Sequence, residues 1–187
     1  ACAQAPRQEV KPPQAQAWID VATLSGMGMP MGGGGANPMA AIGSLPTEIR
    51  EALAAIPADR IDTPYRDGGW TGRQVVHHVA DSHINAYLRF RLALTEHGPA
   101  VKPYEEGAWA ELPDARSEPP SVSVAILEGL HRRLHVLLAS LGPEDFARTA
   151  RHPEHGAITV DWLLQMYAWH GRHHVGHLGL IANRFNS

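Results

Sequence analysis

The feature that most constrains the fold is a helical period of apolar residues in three long segments, which begin near Thr71, Ser121 and Thr159. In each segment apolar side chains recur every three or four residues, so they line one face of a helix. A shorter segment, residues 45–57, has the same pattern and ends at Pro57. Only short fragments alternate apolar and polar residues as a strand does. The sequence therefore predicts an all-α fold with four helices.

The connections between the helices predict how they are joined. Thr71 and Gln74 have the spacing of a capping box at the start of the second helix, and Gly98 with Pro99 ends that helix. A connection of roughly 20 residues with five prolines follows, which is long for a loop between helices of a bundle. We therefore predict a four-helix bundle with one long crossover loop.

The N-terminal residues 1–44 differ in composition from the rest of the chain. They are rich first in Pro, Gln and Ala and then in Gly and Met, which predicts a flexible tail ahead of a bundle domain at residues 45–187. The single cysteine, Cys2, excludes an internal disulfide and fits a cytoplasmic location. The alternative is an envelope lipoprotein that is anchored at Cys2.

Charge and hydropathy exclude two classes of partner. The formal net charge is only -3 and no run of Lys and Arg occurs, so no nucleic-acid partner is expected. No apolar run reaches the roughly 18 residues of a transmembrane helix, so no membrane span is expected either.

Histidine is the unusual residue of this sequence: all 12 copies lie beyond residue 76. Two histidines four residues apart on a helix point the same way and can reach one metal ion. Three pairs have this spacing: His170 with His174, His173 with His177, and His131 with His135. On a helical wheel, His170 and His174 straddle the direction of Leu163 and Ile181, which should face the core. They are therefore the first choice.

The other two pairs are less favoured by their surroundings. His173 and His177 are rotated away from the expected core direction and are the second choice. His131 lies beside Arg132 and Arg133, so a solvated face is expected for it and its partner. Spacing alone also leaves open that these histidines are purely structural.

A third ligand is predicted from the second helix. His78 falls within its apolar stripe, between Val75 and Val79, and can face the fourth helix. We therefore predict a site of three imidazoles from His78, His170 and His174. Three imidazoles suit several divalent transition metals and leave one position for water or substrate, which is the arrangement of a catalytic site.

Three motifs carry a resemblance to a known family. They are "TPYRDGGWTGRQVVHHVADSH", "KPYEEGAWAEL" and "YAWHGRHHVGHL". Over about residues 46–183 the chain resembles the DinB/YfiT-like superfamily, and most closely its YfiT branch. The resemblance implies a four-helix bundle in which His78, His170 and His174 hold a divalent metal. It further implies a metal-dependent hydrolase, or a thiol S-transferase of the bacillithiol-transferase kind, and a cytoplasmic homodimer.

These implications define the expected chemistry. The cofactor is one divalent ion, with zinc or nickel favoured, and the substrate is a small molecule, with a low-molecular-weight thiol as one candidate. Asp81 is a candidate partner for a ligand imidazole. Tyr104 and Trp109, in the crossover, are candidate walls of a substrate pocket. The alternative function is a non-catalytic bundle that binds a metal or ligand.

Overall fold

The structure is a computed structural model and describes residues 37–185. In chain order its elements are α1 (Pro38–Ala54), a 3-10 turn (Ala58–Arg60), α2 (Gly72–Thr95), α3 (Glu106–Ala110), α4 (Pro113–Ser117), α5 (Pro120–Ala139), α6 (Pro143–Phe146), β1 (Thr149–His152), β2 (Gly156–Thr159) and α7 (Val160–Ala182). The long helices α1, α2, α5 and α7 form the bundle, in which α1 and α2 each pack against both α5 and α7. The predicted all-α four-helix bundle is confirmed. No described helix combines the length and the apolar character that crossing a membrane requires.

Helix α1 begins earlier than the sequence predicted. The Asn37 side chain accepts a hydrogen bond from the Met39 N–H at 2.9 Å, and Pro38 occupies the first turn, so the pair forms a helix start. The predicted boundary between residues 44 and 45 falls inside α1. This helix start was not predicted because the sequence just before Asn37 is rich in Gly and Met, which favours a flexible segment. Residues 1–36, including Cys2, lie outside the described residues, so the predictions made for them stay predictions.

The predicted start of α2 is confirmed as a capping box. The Gln74 N–H donates to Thr71 Oγ1 at 3.2 Å, and the Thr71 N–H donates to Gln74 Oε1 at 3.1 Å. The same Gln74 donates through Nε2 to the Ala110 carbonyl at 2.8 Å, which fastens the crossover to the start of the helix. Farther along α2, Leu88 is 53% exposed, whereas Phe90 is buried.

The long crossover is confirmed between α2 and α5, and it contains the short helices α3 and α4. A second feature was not predicted: β1 and β2 pair antiparallel, with Ala150 opposite Ile158. Both of these side chains are buried against the bundle. Strands of four residues are too short for an alternating pattern to stand out from the surrounding loop.

Gly171 allows α1 and α7 to approach each other closely. A Cβ atom at this position would lie 2.6 Å from Cδ2 and 2.8 Å from Cδ1 of Leu45, which is itself buried and cannot move aside freely. Gly171→Ala is therefore expected to destabilise the protein by about 1–3 kcal/mol. Urea denaturation measures this change. The control is Gly176→Ala, where nothing lies within 4 Å of the new Cβ and the helix should gain stability; equal stabilities of the two variants would contradict the close approach.

Candidate metal centre

The bundle brings together the three histidines that the sequence selected. His78 extends from α2, and His170 and His174 extend from successive turns of α7. Each residue is only 5–7% exposed. One ring nitrogen from each of the three lies within 4.8 Å of the other two. Two packed helices therefore supply three converging imidazoles inside the protein.

The spacing of these nitrogens fits a metal ion. Nε2 of His78 and Nε2 of His170 are 3.2 Å apart. Two nitrogens that are each about 2.0–2.1 Å from a tetrahedral zinc ion lie roughly 3.3 Å from one another. In residues 37–185 no carboxylate or thiol joins this group of ligand atoms. The site can thus hold a divalent ion through three imidazoles and leave a position for another molecule.

Burial keeps the imidazoles in the form that binds metals. It lowers the pKa of His78 from 6.5 to about 3, with His177 and His173 contributing further. Burial also lowers the pKa of His170 and of His174 well below the ordinary value. All three rings are consequently neutral near pH 7, so each retains a lone pair on one ring nitrogen.

The second nitrogens of two ligands face other imidazoles. Nδ1 of His170 lies 3.4 Å from Nε2 of His83, and Nδ1 of His174 lies 3.2 Å from Nδ1 of His177. Contacts of this kind fix the orientation of a ligand ring. The expectation that Asp81 performs this role is not supported, because among the described residues its carboxylate makes no hydrogen bond to a ligand histidine.

His131 and His83 are both buried, which the sequence did not predict. His131 was expected on a solvated face, but it is 1% exposed, and His83 is fully buried. The arginines next to His131 suggested an exposed position, yet His131 lies four residues after Leu127 and three before Leu134, both of them buried. That spacing was the available signal, and it places His131 in the stripe that faces the core.

Two aromatic rings pack against the histidine cluster. The Trp70 ring lies 4.6 Å from the His78 ring. Tyr65 stacks on His177 at 3.9 Å, nearly parallel. These rings add apolar surface around the cluster, which reinforces the low polarity responsible for the shifted pKa values.

The crossover places Tyr104 and Trp109 side by side. Their rings are 4.5 Å apart, and Trp109 is 39% exposed. The Tyr104 hydroxyl is buried beside the Ser82 side chain, and burial raises its pKa. Glu106, in the same segment, has its pKa raised to about 7, chiefly by burial. The crossover therefore offers a buried hydroxyl and a carboxyl group that can change protonation near neutral pH.

A second group of metal-ligand residues lies at the turn of the β-hairpin. One ligand atom each from His152, Glu154 and His155 lies within 4.8 Å of the others. Glu154 is exposed and the two histidines are half-buried. Any measurement of metal content must separate this group from the buried one.

The fold and this site together define a helical-bundle protein with three buried histidines that can hold a metal ion. The chain belongs to the DinB superfamily, whose family model matches residues 43–178.

Similar proteins carry names that agree with this centre. A protein of Bacillus cereus (strain 03BB102), named "Putative metal-dependent hydrolase", is 51% identical over 145 residues, which cover 78% of this chain and 83% of the relative. A protein of Bacillus mycoides (strain KBAB4) with the same description is 50% identical over the same coverage. The predicted relation to proteins that carry this name is confirmed.

Solved structures show the same architecture. YfiT from Bacillus subtilis, described as a probable metal-dependent hydrolase with an unusual four-helix bundle topology, is 44% identical. The TM-score is 0.76, with 79% of this chain and 85% of that chain covered. A mycothiol-dependent maleylpyruvate isomerase has a TM-score of 0.59 at 18% identity, over 76% of this chain and 59% of that one, which is a likeness of fold alone. The resemblance to the YfiT branch is confirmed.

Proposed function

We propose that this protein is a metal-dependent enzyme, a hydrolase or a thiol S-transferase, whose divalent ion is held by His78, His170 and His174. The observation that carries the proposal is the buried convergence of three neutral imidazoles without a fourth protein ligand in the described part of the chain. Sites that serve only structure usually fill all four positions around zinc with side chains, whereas catalytic sites keep one position open.

Zinc or nickel is the ion we propose; when bound it polarises an oxygen or sulfur ligand and lowers the pKa of that ligand, so that a nucleophile is available at neutral pH. The protein contributes the rest. His83 and His177 orient two of the ligand rings, and Trp70 packs on the third. The low exposure of the ligands strengthens electrostatic interactions at the site.

The substrate is proposed to be a small molecule that the crossover helps to bind. The hydroxyl of Tyr104 and the exposed ring of Trp109 are the candidate contacts, and Glu106 can exchange a proton near neutral pH. A low-molecular-weight thiol is one substrate class, because an ion at this site would stabilise its thiolate. An ester or amide is the other class.

The test compares metal-free and metal-restored protein in both kinds of assay. Protein treated with a chelator is reloaded with Zn²⁺ or Ni²⁺ and assayed for hydrolysis of esters and amides, and for conjugation of low-molecular-weight thiols to an electrophile. We expect turnover in one assay that disappears with the metal and returns on reloading. Activity that survives complete removal of the metal contradicts the proposal. Tight metal binding without turnover favours the alternative, a non-catalytic binding bundle.

Two further features are proposed on the resemblance alone: assembly as a homodimer and residence in the cytoplasm. Light scattering of the purified full chain measures the first, and fractionation of the source cells measures the second.

A further inference from the structure

Behind His170 lies a row of buried imidazoles that are not themselves proposed as metal ligands. Nε2 of His83 faces Nδ1 of His170 at 3.4 Å. Nδ1 of His83 faces Nε2 of His131 at 2.9 Å. Nδ1 of His131 lies 2.6 Å from the carbonyl oxygen of Ile42. The row therefore runs from the backbone of α1, through α5 and α2, to a ligand histidine on α7.

The Ile42 carbonyl is free for this contact because of the sequence of α1. In an α-helix the carbonyl of residue 42 accepts from the N–H of residue 46. Residue 46 is Pro46, which lies inside α1 and has no N–H. A buried carbonyl without a partner is costly, so a donor from another element is favoured there. His131 supplies that donor.

The carbonyl determines the position of every proton along the row. An oxygen of this kind only accepts, so His131 carries its hydrogen on Nδ1 and presents Nε2 as an acceptor. His83 must then donate from Nδ1 and accept at Nε2. His170 must donate from Nδ1, which leaves its Nε2 with a lone pair directed towards His78. A neutral imidazole has one donor and one acceptor, so no other arrangement satisfies all three contacts.

We propose that His83 and His131 are positioning residues that transmit the polarity of the Ile42 carbonyl to His170 and thereby fix its Nε2 as the metal-binding atom. This proposal rests on the proposed metal site. The row ends at a backbone carbonyl, which neither gains nor loses a proton. It therefore orients the ligand and does not conduct protons to solvent.

The acceptor behind His170 is also chemically unusual for a metal ligand. The imidazole of a bound histidine commonly donates to a carboxylate, a backbone carbonyl or water. Here it donates to a neutral ring. No negative charge is added behind the ligand, so an ion at this site would retain more of its charge towards substrate than one supported by a carboxylate.

The first test reads the tautomers in the metal-free full-length protein. Two-bond ¹H–¹⁵N correlation NMR on histidine-labelled protein distinguishes a protonated ring nitrogen from a bare one. We expect His131, His83 and His170 all to carry hydrogen on Nδ1 and none on Nε2. A hydrogen on Nε2 of any of these three histidines overturns the proposal. Because no metal or substrate is present, this result is independent of whether the protein is an enzyme.

The second test alters the row without touching a metal ligand. In His131→Gln the amide still offers a donor and an acceptor, whereas His131→Leu is apolar and offers neither. Zn²⁺ affinity, measured by competition with a chelator, is expected to fall about 10–100-fold in His131→Leu and to change only slightly in His131→Gln. The His170 tautomer should become mixed in the Leu variant alone. Unchanged affinity and tautomer in His131→Leu overturn the proposal, and if that variant does not fold, the wild-type spectrum decides.

Discussion

Alanine in place of His78 or of His174 is expected to reduce the metal content of the purified protein from about one equivalent to a small fraction of that. Loss of a partner that merely orients a ligand costs about 10–100-fold in metal affinity, so loss of a ligand should cost more than about 100-fold. Two remaining imidazoles hold an ion far less firmly than three, because water must complete the shell. Any activity that depends on the metal should disappear with it.

The measurement is elemental analysis of tag-free protein, with two matched controls. His135→Ala removes an exposed histidine of α5 and should keep the metal. His155→Ala disrupts the hairpin cluster, so preparing each ligand variant in that background removes ions bound there. A normal metal content in both His78→Ala and His174→Ala, within the His155→Ala background, would show that the buried histidines are structural.

Much of the fold follows from local sequence signals. The apolar stripes, the capping box at Thr71 and the proline-rich crossover predict the long helices and their connections, because each signal acts within a few residues. The features that sequence did not predict have other origins. The hairpin consists of four-residue strands, and the start of α1 depends on one Asn–Pro pair within a stretch of otherwise flexible composition.

The candidate site was predictable only where the helical period shows whether a side chain points towards the core. His170 and His174 are four residues apart beside core positions, and His78 lies within a stripe, so their convergence could be proposed from spacing. The row of buried imidazoles behind them, His83 and His131, could not be proposed from spacing. The contact between His83 and His131 joins residues 48 apart in the chain, and it depends on how α2 and α5 pack. Neighbouring arginines misdirected the interpretation of His131, since charged neighbours do not reveal which face of a helix a residue occupies.

Pro46 removes one hydrogen bond from α1, and this loss allows a contact between α1 and α5. A proline within a helix usually weakens it, because one hydrogen bond is lost. Here the freed carbonyl of Ile42 is satisfied by His131 across the bundle. The local rule would count Pro46 as a helix breaker. In the folded protein, however, the Ile42 carbonyl accepts a hydrogen bond from His131. This contact depends on the packing of α1 against α5, so it cannot be inferred from the sequence of α1 alone.

Acid is expected to destabilise the metal-free protein strongly between about pH 6.5 and pH 3. Burial lowers the pKa of His78 from 6.5 to about 3, so the unfolded chain binds this proton at a higher pH than the folded chain does. The stability is fully present above the unfolded pKa and is lost as the pH falls towards the folded one. Each pKa unit corresponds to about 1.4 kcal/mol, so His78 alone accounts for about 5 kcal/mol by pH 3.

Other groups modify the size of this effect. The pKa values of His170 and His174 are lowered in the same direction and add to the loss. Glu106 acts with the opposite sign, since its pKa is raised from 4.5 to about 7, but solvent reaches this half-buried carboxyl and weakens its contribution. Domains of this size have about 5–15 kcal/mol of stability in total, so the metal-free protein should be largely unfolded near pH 4.

Urea denaturation in the presence of a chelator, repeated between pH 7 and pH 4, measures this dependence. His78→Asn cannot take up the proton, so its stability should fall less steeply, by about 1.4 kcal/mol per pH unit between pH 6 and pH 4. His135→Asn, at an exposed position, should follow the wild type. If His78→Asn also follows the wild type, His78 titrates alike in the folded and unfolded chains. Water would then reach its ring in the folded protein, and the dry, neutral environment on which metal binding at this site depends would be absent.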